Sequence, residues 1–179
     1  MENRPNGEIS STAITLNVSL VVFMVLVVLT FVFEFAHVDQ RSPVQYTAYI
    51  PFIFGMYYVI RLFRDKELGG YITLGQSFKA GFRYSMFVAL FMAIFFIIYL
   101  KYISPGIFEA GLTEAEDQML KMGKSQSEID EGMEKARQYG PFFGGMGTFI
   151  VYVLLGCILS LIFGAILQRK APPFAGDEE

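Results

Sequence analysis

One cysteine, one histidine and no tryptophan occur in 179 residues, and each scarcity removes a class of chemistry. Cys157 lies in an apolar run with no second thiol, so the chain forms no internal disulfide and no cysteine metal cluster. His37 alone cannot complete a Ser-His-Asp or Cys-His constellation, since most candidate partners are expected across the membrane from it. With Glu34 one helical turn away it makes an incomplete metal shell, and the pair reads as interfacial capping. Charge is scarce as well. Only 17% of residues are charged, the net charge is -3, and the cations are spread among separate loops. No concentrated field exists to draw a phosphate backbone, which excludes nucleic acid as a partner. No metal or cofactor is expected, and the chain reads as a non-enzyme.

Hydrocarbon is what the chain has instead: 54% of residues are hydrophobic and the mean hydropathy is +0.45, too apolar for a soluble domain of this length. The start "MENRPNGEISSTA" carries one Arg and two Glu and no cleavage signal, so the first apolar run reads as a retained anchor. Uncharged runs cover 9–33, 42–60, 84–100 and 138–168, and about 20 helical residues cross a hydrocarbon core. The expected fold is therefore all-α: an integral membrane four-helix bundle in a single domain, 1–179. Its spans fall at about 14–35, 45–63, 82–102 and 142–168. Pro51 falls in the first two turns of the second span, and Tyr46, Tyr49, Tyr99 and Tyr102 sit at the outer interface.

Orientation follows from the short loops, where Lys and Arg are retained on the cytoplasmic side. The loop between spans two and three holds Arg61, Arg64, Lys66, Lys79 and Arg83, and the tail adds Arg169 and Lys170. The loop between spans one and two offers only Arg41 against Glu34 and Asp39. Both termini are expected in the cytoplasm. The segment at about 104–140 then faces outward as an amphipathic helical hairpin. Thr113 with Glu116, and Ser125 with Glu128, match capping-box spacing. They predict one helix over 114–122 stopping at Gly123, and a second over 126–139 stopping at Gly140-Pro141. Ile129, Met133 and Ala136 form the apolar face of the second, with Asp130, Glu131, Glu134 and Arg137 on its wet side.

No Asp, Glu, Lys, Arg or His lies within the four uncharged runs, although a buried charge is what an ion or proton pathway needs. Small residues carry a clearer signal. Span three presents Gly81, Ser85, Ala89 and Ala93 at four-residue steps; span four presents Gly144 and Thr148, then Gly156, Ser160 and Gly164, with Tyr152 interrupting. Such stripes let helices in lipid approach closely, and these two are expected to pack against each other or against a second subunit. Gly144, Gly145 and Gly147, which open span four, lack the strand and lysine of a phosphate cradle and read as close helix contacts. In the basic loop, Gly69-Gly70 allows a turn with positive φ. From Tyr71 onward, apolar Ile72, Leu74, Phe78 and Phe82 alternate with polar residues, as in a short segment lying under the cytoplasmic leaflet. The loop cations Arg61, Arg64, Lys66, Lys79 and Arg83 are candidates to contact lipid headgroups or a partner.

The runs "RDKELGGYITLGQSFKAG", "YLKYISPGIFEAG", "YGPFFGGMGTF" and "GCILSLIFGAILQRK" resemble the domain of unknown function family 4199, small bacterial membrane proteins. The resemblance spans about 60–170, and the first 45 residues fall outside it. Arg64-Asp65 with Gly69-Gly70, the run from Phe78 to Gly81, Ser104-Pro105, and Ser160 to Ile162 before Gln168 are its most specific parts. It implies four spans, no established reaction, and partnership with a membrane glycosyltransferase that uses polyprenyl-phosphate sugars. The expected function is a non-enzymatic accessory or scaffold subunit that contacts membrane lipids and another membrane protein, or associates with itself. The alternative is a small carrier or lipid-handling protein for a neutral or lipidic substrate, and catalysis by outer carboxylates such as Glu116 with Asp117 ranks third.

Overall fold

The computed structural model describes residues 6–38 and 42–169, with side chains from residue 12 onward. Asp39, Arg41, Lys170 and both termini, on which part of the orientation argument rests, lie outside the described residues. Among the described residues the chain is all helical: α1 Asn6–Phe35, α2 Tyr49–Lys66, α3 Leu74–Ile98, α4 Pro105–Lys121 and α5 Gln126–Leu167. Among the described residues three stretches are long and apolar enough to cross a membrane: Thr12–Phe35, Leu74–Ile103 and Gln126–Leu167. The expected second span is α2, a helix of 18 residues whose last turns carry Arg61, Arg64, Asp65 and Lys66, which is why it falls outside that set.

Each helix end has a local cause. α1 stops where His37 takes φ 51, its amide bonding Glu34 O at 3.0 Å while Val38 N reaches Phe33 O at 3.0 Å. This is the left-handed cap usually given to glycine, so the link between His37 and Glu34 runs through the backbone. After α2 the chain turns through Gly69 (φ 60) and Gly70 (φ 94), as the sequence predicts. Thr73 and Gln76 then cap α3 reciprocally: Thr73 N donates to Gln76 Oε1 at 2.9 Å and Gln76 N to Thr73 Oγ1 at 3.3 Å. The segment expected to lie separately under the leaflet is thus the first two turns of α3 itself.

α3 widens into a π-helical turn at Tyr99–Ile103, where Ser104 N bonds Tyr99 O at 2.8 Å. Pro105 cannot continue the amide ladder but is suited to a first helical position, so α4 begins there. Thr113 therefore starts nothing; it lies within α4 and its hydroxyl donates to Glu109 O at 3.1 Å. The predicted stop at Gly123 holds, with φ 73. Ser125 and Glu128 open α5, Ser125 N and Oγ both donating to the carboxylate at 3.0 and 2.9 Å. The predicted stop at Gly140-Pro141 does not hold. α5 runs 42 residues straight through Pro141, since proline is tolerated in membrane helices whose freed carbonyl finds other partners.

The helices form two compact units. The first takes in α1, α2, the start of α3 through Val88, and α5 from Tyr152 onward. Its α1 is inside-out relative to a helix in water. Thr15, Ser19, Val22 and Leu26 form the buried stripe, while Val21, Met24, Val25, Val28, Val32 and Phe35 face outward. Hydroxyls inside and bare hydrocarbon outside is the arrangement that lipid, not water, stabilises. Phe52, Met56, Ile60, Tyr84 and Val88 fill the centre of this unit, and Tyr84 Oη donates to Phe52 O at 3.1 Å.

The second unit, Ala89–Val151, holds the rest of α3, α4 and the first part of α5. Ile129 is buried, Met133 and Ala136 are half-buried, and Asp130, Glu131, Glu134 and Arg137 are exposed. Arg137 Nη2 pairs with Glu109 Oε2 of α4 at 3.2 Å. Gly140 stands against Phe108, where an added Cβ would come 2.7 Å from the ring.

Candidate functional site

Two features of the first unit bring sequence-predicted residues together. One is a seam between α3 and α5. A Cβ built on Gly81 would stand 2.5 Å from Ser160 Cβ, one on Gly164 3.0 Å from Ser77 Cβ, and one on Gly156 would collide with Ser85. The three rungs, Ser77 with Gly164, Gly81 with Ser160 and Ser85 with Gly156, step by four residues in opposite directions along the two helices. Each rung pairs one serine with one glycine, so the helices run antiparallel with their backbones nearly touching.

The serine hydroxyls do not bridge the seam. Ser85 Oγ donates to Gly81 O of its own helix at 2.9 Å and Ser160 Oγ to Cys157 O at 2.9 Å, the local back-bonding common to serine in helices. Ser77 Oγ is fully buried and has no hydrogen-bond partner among the described residues. Ala89 and Ala93 are buried in the second unit, where the Ala93 carbonyl would lie 2.9 Å from a Cβ on Gly145. Gly144 likewise abuts Phe96 at 3.1 Å, whereas Gly147 has open space around it and makes no such contact.

The other feature is the basic end of α3. Gln76, Lys79, Ala80 and Arg83 recur at i, i+3, i+4 and i+7, one face of the helix, and with Thr15 of α1 and Phe63 of α2 they line a cavity of about 90 Å³. Arg83 is steadied by α1, its Nη1 donating to Thr12 Oγ1 at 3.0 Å. Lys79 and Arg83 also head a shallower groove of about 350 Å³ lined by Phe78, Phe82, Met86 and Phe87. Phe78 and Phe82 stack there with centroids 5.9 Å apart.

The five predicted headgroup cations thus divide. Arg64 and Arg61 both turn to Asp65, at 2.7 and 3.5 Å, and the hydrogen bond from Arg64, more than the charge of Arg61, holds the Asp65 carboxyl below the usual carboxylate range. Lys66 is exposed at the end of α2, and Lys79 and Arg83 come together at the groove. Close by, Ile72 and Arg169 exchange both backbone hydrogen bonds at 3.0 Å, tying the loop before α3 to the end of α5. The convergence of Thr15 and Phe63 on this site left no trace in local sequence pattern. The Thr73–Gln76 cap did, as a T-x-x-Q spacing.

Among the described residues no group of three or more His, Cys, Asp or Glu could hold a metal ion. A family profile described as a protein of unknown function, DUF4199, matches residues 13–169. The match takes in α1, beyond the span of the motif resemblance. No curated protein and no solved structure matches the chain.

Proposed function

The chain belongs to the DUF4199 family, and from that premise we propose that it is a four-span accessory or scaffold subunit of a bacterial inner-membrane complex, with no reaction of its own. The observation that carries this reading is the serine–glycine seam. Along its three rungs α3 and α5 meet at backbone distance, so this part of the unit offers a rigid, closed support. A carrier for a neutral or lipidic substrate needs a passage, and the seam leaves none between these helices.

Two further observations support the architecture. Val22 of α1 lies against Gly55 of α2, and Thr15 and Phe63 line one cavity. α2 therefore runs antiparallel to α1 at the same depth, as a fourth span would. The Ile72–Arg169 bridge joins the basic loop to the end of α5. Loop and tail thereby share one face, and our reading takes this face, with its cations, as the cytoplasmic one. By family resemblance, the partner we expect is a membrane glycosyltransferase.

Mild-detergent extraction after crosslinking in the native membrane tests the reading. A specific membrane protein should accompany this chain at near-equal amounts. Recovery of the chain alone, under every mild condition and with efficient crosslinking elsewhere in the sample, would overturn it.

A further inference from the structure

We propose that the hairpin made by α4 and the first part of α5 is a lever that swings as one rigid body, hinged at the level of Pro141, where both of its connections to the apolar segments lose the regular helical ladder. This device is independent of the scaffold reading and needs no partner protein.

Coincidence of the two irregularities is the first argument. On the α3 side the ladder widens into the π-helical turn Tyr99–Ile103, Ser104 follows at φ -131 and ψ 62, and Pro105 starts a new helix with Gly106 in open space. On the α5 side Pro141 has no amide to donate to Arg137 O, and its ring crowds that carbonyl. The two lie at one level. A Cβ on Gly144 would stand 3.5 Å from Leu100 of the π turn, and one on Gly140 2.7 Å from the Phe108 ring in the first turn of α4. One irregular connection beside an intact helix would not give a hinge, because the intact helix would hold the angle. Sharp bends in helices concentrate at prolines and π turns, and both chain paths into the hairpin pass through one.

Cohesion on either side of this level is the second argument. Within the hairpin, Arg137 Nη2 pairs with Glu109 Oε2 at 3.2 Å, a Cβ on Gly132 would stand 3.0 Å from Met119 Cε, and Leu112 and Ile129 are buried. These contacts join α4 to α5, so the two helices move together. On the other side, a Cβ on Gly145 would meet Ile97 Cγ1 at 2.5 Å and Ala93 O at 2.9 Å, which locks α3 and α5 at backbone distance. The lever thus changes the angle at which the hairpin presents its charged face while the contact at Gly145 stays closed. Gln126, where α5 begins, lies about 22 Å along the helix from Pro141. A bend of about 20°, the onset of a sharp kink, carries the hairpin tip about 7 Å.

The test is double electron–electron resonance on the full chain in nanodiscs, with nitroxide pairs in a Cys157→Ser background. Lys121→Cys with Gln138→Cys reports within the hairpin; Lys121→Cys with Ile98→Cys, and Lys121→Cys with Met146→Cys, cross the hinge, and all four positions are exposed. The within-hairpin distance should be narrowly distributed and both cross-hinge distances at least about twofold broader. Pro141→Ala, which returns an amide to the ladder, should narrow both cross-hinge distributions to the within-hairpin width and leave the within-hairpin pair unchanged. Cross-hinge distributions as narrow as the within-hairpin one would overturn the proposal. So would a within-hairpin pair as broad as the others, which means fraying in place of a rigid swing, or cross-hinge widths that Pro141→Ala does not reduce. The comparison of widths with Pro141 in place needs no hinge variant, so it decides the matter even if Pro141→Ala does not fold.

Discussion

A methyl group added at Gly156 has nowhere to go, because the atoms it meets are Ser85 Oγ and Cβ, and the Cβ is fixed to the backbone of α3. Overpacking of this kind costs about 1–3 kcal/mol. Ser77, two rungs away on the same seam, has the opposite problem: its hydroxyl is buried without a partner among the described residues. A buried, unsatisfied polar atom costs on the order of 1 kcal/mol or more, and replacing it by hydrogen removes that cost. We therefore expect opposite signs from two alanine substitutions eight residues apart in register. Gly156→Ala should lower stability by about 1–3 kcal/mol, and Ser77→Ala should raise it by about 1 kcal/mol. Gly147→Ala, where nothing lies within 4 Å, is the control and should be neutral or slightly stabilising through helix propensity. Reversible unfolding in mixed micelles measures all three. A neutral Gly156→Ala would mean that the seam is looser than these distances imply.

The N-terminus of α5 carries its own test. The Glu128 carboxyl is held down to about 2, first by the Lys124 hydrogen bond and then by the Ser125 amide and hydroxyl. Since its folded value lies below the ordinary 4.5, its stabilisation is complete above that pH and is lost as pH falls toward 2. The first turn of α5 should therefore fray on acidification through this window. Carbon-13 NMR of the Glu128 carboxyl in detergent reads the midpoint directly. Ser125→Ala keeps the Lys124 contact and the amide but removes one donor, so the midpoint should move up toward 4.5. An ordinary midpoint in the unmodified chain would refute the capping geometry. This cap was legible in the sequence because all its parts lie within five residues, and the same holds for the glycine turns at Gly69-Gly70 and Gly123. The end of the outer helix was not. Gly140-Pro141 has the composition of a helix stop, yet α5 continues through it, because a proline's lost amide is a local penalty while the packing that overrides it is tertiary. Thr113 misled for a related reason: Ser104-Pro105 supplies an earlier start for the same helix. In the basic loop the charges of Lys79 and Arg83 could be read, but the cavity they line is made by Thr15 and Phe63 from two other helices.

Seen from end to end, the chain's threading turns on α2. α3 and α5 are antiparallel along their seam, and the Ile72–Arg169 bridge returns the chain to the face from which α3 departs. That much is independent of α2. Whether α1 and α3 start on the same face depends on whether these 18 residues, charged in their last turns, cross the bilayer. The four-span reading proposed above has them cross antiparallel to α1, with Arg61 and Arg64 extending their stems to the surface. Single cysteines placed in a Cys157→Ser background decide it. With an impermeant maleimide applied to intact cells, Glu131→Cys and Gln45→Cys should label from outside, while Lys66→Cys should label only after the membrane is opened. If Gln45→Cys behaves like Lys66→Cys, α2 lies on the cytoplasmic side and the chain crosses three times. If Glu131→Cys also behaves like Lys66→Cys, α3 and α5 do not both span.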